Sequence, residues 1–312
     1  MLSKTVFNFK FERTEKPITP HGGLPFLVRY IHGLGLVNLA NVYLPTPGSA
    51  RGYMPAEYVM AFSMLLCGGG STLEDIRVLQ KDDALKKVCG IGDFASPDAM
   101  GDWLRRMGNT GLAGLGLIGK NIISRCTQNE KRIIYTLDVD ATEVPSNKIE
   151  AQYTYNKIKG YMPMLGFISE NKLCILDEFR EGNVSPNSKQ VAFYEGCKAN
   201  MPAGKRIGYY RADSACYQAK LFNKLEQDGV TFAIAAPLDI SIRTAIATLR
   251  EEDWYVPEKE DGTHEYALTS HSMDNTEKGF YISIKRKRIR QKELFDSIME
   301  NYCECLSIYR DE

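Results

Sequence analysis

KRIIYTLDVDAT, residues 131–142, is where apolar residues stop recurring every three or four positions and begin to run as strands. Arg132–Val139 is rich in the β-branched and aromatic residues that suit a pleated surface. Strand alternation sends Asp138, Asp140 and Thr142 to one side of this segment, and Leu137, Val139 and Ala141 to the other. Acids placed directly after an apolar run are costly unless they are solvated, hydrogen-bonded or bound to a cation. The pattern therefore points to a metal site, with Asp140 and Asp138 as its first candidates.

Downstream, strand-like runs continue at 161–168 (YMPMLGFI), 172–178 (KLCILDE), 206–210 and 230–236 (VTFAIAA), with an amphipathic helix at 219–227 (AKLFNKLEQ) before the last. Strands joined by a crossover helix imply a mixed α/β sheet covered on its faces. Asp213, in the word RADSA just after the strand at 206–210, repeats the arrangement of an acid at a strand end. Two such acids on one sheet can converge on a hard, oxygen-preferring ion such as magnesium. Asp also favours caps and turns, and Asp213 before Ser214 would serve as a cap whether or not a metal binds. Beyond 237 the pattern weakens into polar, Gly- and Pro-containing sequence read as an insertion. A strand at 279–284 and a helix at 291–303 are expected to follow.

Upstream, the first 128 residues read as helix. Pro55 opens an apolar segment that ends at Gly68-Gly69-Gly70, and Ser71 or Thr72 can cap the next helix. Ser96-Pro97-Asp98 combines an N-cap serine, a proline at the first helical position and an acid where the helix dipole favours it. The helix that follows carries Arg105 and Arg106. A series of short helices with a basic one near its end is compatible with a DNA reader, and equally with an ordinary bundle bearing two surface arginines.

The formal net charge is zero, so any basic groove is balanced elsewhere and only charge distribution is informative. The densest basic run is KRKRIRQK at 285–292, supplying Lys285, Arg286, Lys287, Arg288 and Arg290 as candidate phosphate contacts. The alternative is a strand edge charged to resist pairing. Trp254 could stack on an unpaired base or simply fill core. No segment reads as an export signal or membrane span. The eight cysteines lack zinc-site spacing and read as reduced thiols of a cytoplasmic protein.

Four words in order, LDVDAT (137–142), KGYMPMLGF (159–167), EFREGNVSP (178–186) and YYRADSACY (209–217), resemble the DDE transposases of bacterial insertion sequences, specifically the IS thirteen-eighty group. GGGSTLEDIRVL (68–79) and SPDAMGDWLRR (96–106) extend the resemblance through the N-terminal half. It implies an α/β fold: a ribonuclease H-like mixed-sheet core with an N-terminal helical domain and an insertion in the core. The corresponding division is a helical DNA-end-binding domain over 1–128, core over 129–237, insertion over 238–278 and core again over 279–312. It further implies three acids holding two Mg2+ or Mn2+ ions, with Asp140 and Asp213 matching the first two and Asp138 a weaker neighbour. Arg180 and Asn183 fall in the family's Arg-x-Gly-Asn word, as DNA contacts or as turn formers.

The implied partners are double-stranded DNA, meaning terminal inverted repeats and target, with a homodimer assembled on it. The third acid should lie on a helix after the insertion beside tyrosine, arginine and lysine, and no residue in 279–312 fits that pattern. The expectation is a C-terminally truncated chain with little or no strand cleavage of its own, or a non-catalytic DNA-binding remnant. LDVDAT also fits the first motif of haloacid-dehalogenase-type phosphatases, with Asp138 as nucleophile and Asp140 as acid/base, but the rest of that pattern is weak.

Overall fold

A computed structural model describes residues 15–47, 52–258, 262–287 and, for the backbone alone, 303–308. The chain divides into two compact units, Met1–Arg125 and Cys126–Glu312. In the first, helices α1 (Leu24–Gly33), α2 (Leu36–Tyr43), α3 (Pro55–Cys67), α4 (Ile76–Gln80) and α5 (Asp83–Cys89) precede the long α6 (Pro97–Thr127), which breaks at Gly108. Their apolar positions close on one core, in which the Trp103 ring of α6 stacks on Tyr58 of α3 with centroids 4.9 Å apart. The cap reading at Ser96 is seen directly: its hydroxyl accepts the Ala99 N–H.

The second unit is built on an eight-stranded sheet. In chain order its strands are β1 (Ile134–Ala141), β5 (Met164–Ile168), β6 (Leu173–Glu178), β7 (Arg206–Ala212), β8 (Thr231–Ala236), β9 (His264–His271), β10 (Phe280–Lys287) and β11 (Cys303–Ile308). The short strands β2 (Val144–Pro145), β3 (Gln152–Tyr153) and β4 (Lys159–Tyr161) form a separate sheet in the order β2-β4-β3. In the large sheet the order is β6-β5-β1-β7-β8-β11-β10-β9, with β5 and β6 antiparallel on one side of β1 and β7 and β8 parallel on the other. Three meandering strands followed by two parallel ones beside the first give the ribonuclease H-like core. The fold is thus α/β, with a helical unit before it.

Parallel neighbours need crossover connections. Helices α7 (Gln190–Asn200) and α8 (Ala219–Gln227) supply them, burying Phe193, Tyr194 and Cys197, and Leu221, Phe222 and Leu225. Each large side chain so buried contributes roughly 1.5–3 kcal/mol relative to exposure. Periodicity does not announce α7, because QVAFYEGCKAN interleaves its apolar residues with a glycine and a lysine. The segment 238–278 is more ordered than its composition suggests. It contains helix α9 (Ile240–Ala247) and β9, which pairs with β10 along eight residue pairs and forms the edge of the large sheet. The expected helix at 291–303 lies outside the described residues except at Cys303, which begins β11.

One charged cluster ties α7 to the end of α8. Asp228 accepts hydrogen bonds from Tyr194 Oη (2.9 Å), Lys198 Nζ (2.5 Å) and Lys224 Nζ (3.0 Å). Burial pushes its carboxyl up, but these donors outweigh that and hold it below the usual 3.8. A depressed acid contributes stability above its unfolded pKa that is lost as pH falls through the folded value. Asp228→Ala is expected to cost about 2 kcal/mol near pH 6, since it strands three donors at a partly buried site. The difference should shrink in urea melts as pH falls below 3.8 and through the depressed folded value, where the wild-type carboxyl takes up its proton.

Candidate active site

Strands β1 and β7 run parallel, and their pairing begins with Ile134 opposite Arg206 and Tyr135 opposite Ile207. It then slips by one residue, so that Thr136 meets Tyr209 and Val139 meets Ala212. The slip falls at Gly208, where a Cβ would stand 2.3 Å from Ile134 Cγ2. A β-bulge of this kind re-aims everything downstream of it. Continued without it, the register would set Asp213 beside Ala141, on the opposite face from Asp140. With it, the next residues along the two strands are Asp140 and Asp213, side by side on strands spaced about 4.8 Å apart. Both lie at the carboxyl ends of parallel strands, where open α/β sheets bind ligands.

The Asp213 carboxylate accepts the Ala215 N–H at 3.1 Å and so caps the short 3₁₀ turn Ser214–Cys216. The cap reading and the site reading therefore hold together. Burial pushes the Asp213 carboxyl up, and the negative charge of Asp140 adds to this, against the Ala215 hydrogen bond. Two carboxylates crowded in this way, one of them partly desolvated, suit a divalent cation, which offsets their repulsion. Behind them Tyr210 and Cys216 are buried, and burial pushes the Cys216 thiol up to about 12, so this sulfur is inert packing.

The structure gives Asp138 a different task. It shares a face with Asp140, but its two oxygens accept Nε and Nη2 of Arg211, each at 2.7 Å, and Nη2 also donates to Ser169. Burial raises the Asp138 carboxyl, yet the hydrogen bonds from Arg211 and Ser169 prevail and keep it low. Parallel register explains the partner: Asp138 lies opposite Arg211. A carboxylate clamped by a guanidinium is a poor metal ligand and a poor phosphatase nucleophile. Among the described residues no group of three or more His, Cys, Asp or Glu side chains is gathered to hold a metal.

A family model described as "Transposase DDE domain group 1" matches residues 8–285. The chain belongs to this family of DDE transposases. No curated protein matches it. Among solved structures, the piggyBac transposase synaptic complex with hairpin DNA is similar at 13% identity, covering 92% of this chain and 61% of that one, with a TM-score of 0.47. The Mos1 strand transfer complex (11% identity, 74% and 84% coverage, TM-score 0.22) and the Mos1 mariner paired end complex with Mn (12%, 74% and 85%, 0.22) are more distant. This chain thus spans 61% of the length of the piggyBac chain. At such scores the site rests on this transposase's own residues.

The predicted DNA contacts fall into distinct settings. Arg105 and Arg106 are exposed on α6 and line an open cleft of about 380 Å³ with Tyr58 and Asp102, the latter paired to Arg105 at 2.6 Å. Arg180 is only 4% exposed: its guanidinium donates to Glu178 and to the Ser188 carbonyl at 3.1 Å, which holds the loop 181–189. Within that loop Asn183 is exposed. Gly182 packs so closely that a Cβ would stand 2.3 Å from the Gln152 carbonyl oxygen of the small sheet. The loop is tied to the acid end of β7 as well, through Gln218 Nε2 donating to the Asn187 carbonyl at 2.5 Å.

Of the basic run, Lys285, Arg286 and Lys287 lie on β10, an interior strand of the sheet rather than an edge. Arg286 is engaged by Glu251 and Glu265 and lies 4.0 Å over the Trp254 ring, which accounts for that tryptophan. Lys287 is exposed, and Arg288 and Arg290 fall outside the described residues. Arg211 is the side chain that sequence reasoning missed. Its signal was the equal two-residue spacing of Asp138 to Asp140 and Arg211 to Asp213.

Proposed function

We propose that this DDE transposase chain acts on DNA strands at the ends of a bacterial insertion sequence of the IS thirteen-eighty group, with Asp140 and Asp213 holding Mg2+ or Mn2+ ions. The observation that carries this reading is the bulged parallel register, which keeps β1 and β7 in step up to Val139 opposite Ala212, the residues just before the two acids. When bound, such ions activate an attacking water or 3′-hydroxyl and stabilise the departing oxygen of the phosphodiester. The chain's own residues contribute placement. Ala215 N–H fixes the Asp213 carboxylate, the Arg211–Asp138 pair occupies the neighbouring acid, and Arg180 holds the loop that borders the site. Arg105, Arg106, Asn183, Lys285 and Lys287 are the candidates for phosphate contact, and a homodimer would bring two ends together.

No helix among the described residues is long and apolar enough to cross a membrane. Full cleavage needs a third carboxylate, and residues 279–312 contain none in the expected pattern. The 312-residue chain is therefore expected to bind duplex DNA with a steep salt dependence and to nick it weakly with magnesium or manganese. Fluorescence anisotropy against salt, followed by gel analysis of strand breaks, checks both. Absence of duplex binding at low salt sinks the reading, as does strong nicking that Asp140→Asn leaves untouched.

No strand end announces itself at 144–161, yet this stretch builds the small sheet within a few residues of Asp140.

A further inference from the structure

The small sheet leaves one face apolar and aromatic. Val144 lies opposite Tyr161, and Tyr153 opposite Lys159, so these four side chains share that face, because directly opposed residues do and because positions 159 and 161 are two apart on β4. Phe179 extends it: its ring sits 4.7 Å from that of Tyr161. Tyr153 is 64% exposed and Phe179 67%, and it is their contiguity with Tyr161 and Val144 that marks an interaction surface. Tyr155, at the tip of the β3–β4 hairpin, is 69% exposed, with Lys157 exposed beside it. On the other side Gly182 packs against the Gln152 and Gly160 carbonyl oxygens.

We infer that this face is a stacking platform for unpaired nucleotides of the DNA strand next to the cleaved phosphate. The inference rests on the function proposed above and deepens it. Three features select the occupant. Flat exposed rings alternate with ammonium groups at Lys157 and Lys159, the combination that takes bases on their π faces and phosphates between them. A polyanion complements those lysines, and the carboxylate in register with this face is Glu181, opposite Tyr161. The platform also begins at Val144, only four residues of chain after Asp140.

The test compares the full chain's affinity for two fluorescent probes, a blunt duplex and the same duplex with a five-nucleotide 3′ tail containing 2-aminopurine. The wild type should bind the tailed probe about ten-fold more tightly and quench its 2-aminopurine. Joint substitution Tyr153→Leu and Phe179→Leu keeps apolar bulk but removes the π faces. It should erase the preference and the quenching while leaving blunt-duplex affinity within about two-fold. Tyr153→Phe should retain both. A tail preference that survives in the leucine variant overturns the platform, as does a leucine variant that merely loses self-association. Blunt-duplex binding by the wild type with no tail preference overturns the platform alone, whereas failure to bind either probe overturns the proposed function with it.

Discussion

Manganese should raise the melting temperature of the wild-type chain by several degrees, and Asp140→Asn or Asp213→Asn should abolish that rise. A ligand that binds only the folded state stabilises it by about 2.7 kcal/mol at a hundred-fold excess over its Kd, so the expected effect is large. The same two substitutions should leave the metal-free protein no less stable than wild type. Asp213 carries its charge in a partly buried place beside another carboxylate, and a raised acid contributes stability only below its ordinary pKa, losing it as pH rises. The crowding of Asp213 beside Asp140 is thus a cost that Asn removes. Asp138→Asn is the control: it breaks the Arg211 pair, a half-exposed contact worth at most about 1 kcal/mol, and should keep the manganese response. Differential scanning fluorimetry with and without manganese reads all three. A full response in Asp213→Asn, or its loss in Asp138→Asn, would move the metal site away from where the register puts it.

How much of this was legible beforehand follows from the kind of signal each element carries. The strands β1, β7 and β8 declare themselves because short β-branched and aromatic runs end in acids or turn residues, and α8 because its apolar residues keep one face. Helix α7 does not, since it is held by tertiary contacts of Phe193, Tyr194 and Cys197 rather than by a clean stripe. Strand β9 was invisible for a related reason: at the sheet edge it need bury only part of one face, and its residues alternate weakly. For the site, both strand-end acids could be named from the sequence, with Asp140 ahead of Asp138 by the family resemblance, but not the register that puts Asp213 on their face of the sheet. That register depends on the single extra residue at Gly208, and a glycine in a strand is as consistent with a flaw as with a bulge until its partner strand is seen. The basic residues divide differently. Arg180 enters through the Arg-x-Gly-Asn word, as a DNA contact or a turn former, and Arg286 through the basic run, and the fold engages both guanidiniums internally.

Arg180→Ala is accordingly expected to unfold the protein more readily rather than to loosen DNA selectively. The side chain is almost wholly buried, its Nε and Nη2 donate to Glu178 at 3.0 and 3.3 Å, and Nη1 satisfies the Ser188 carbonyl. Truncation leaves a carboxylate without its partner, a carbonyl without its donor and a cavity beside Phe193, whose ring lies 5.9 Å from the guanidinium. Glu178 is 39% exposed, so solvent compensates its carboxylate, whereas a stranded carbonyl costs about 1–3 kcal/mol, and urea denaturation should report a loss in that range. Arg180→Lys keeps the charge but not the fork that reaches both Glu178 and Ser188, so it should recover only part of the loss. A phosphate contact would behave otherwise, preserving stability while lowering the salt slope of duplex binding by about one. Wild-type stability with a reduced slope would make Arg180 a DNA ligand; a destabilised variant with an unchanged slope makes it the residue that holds the loop 181–189 against the acid end of the sheet.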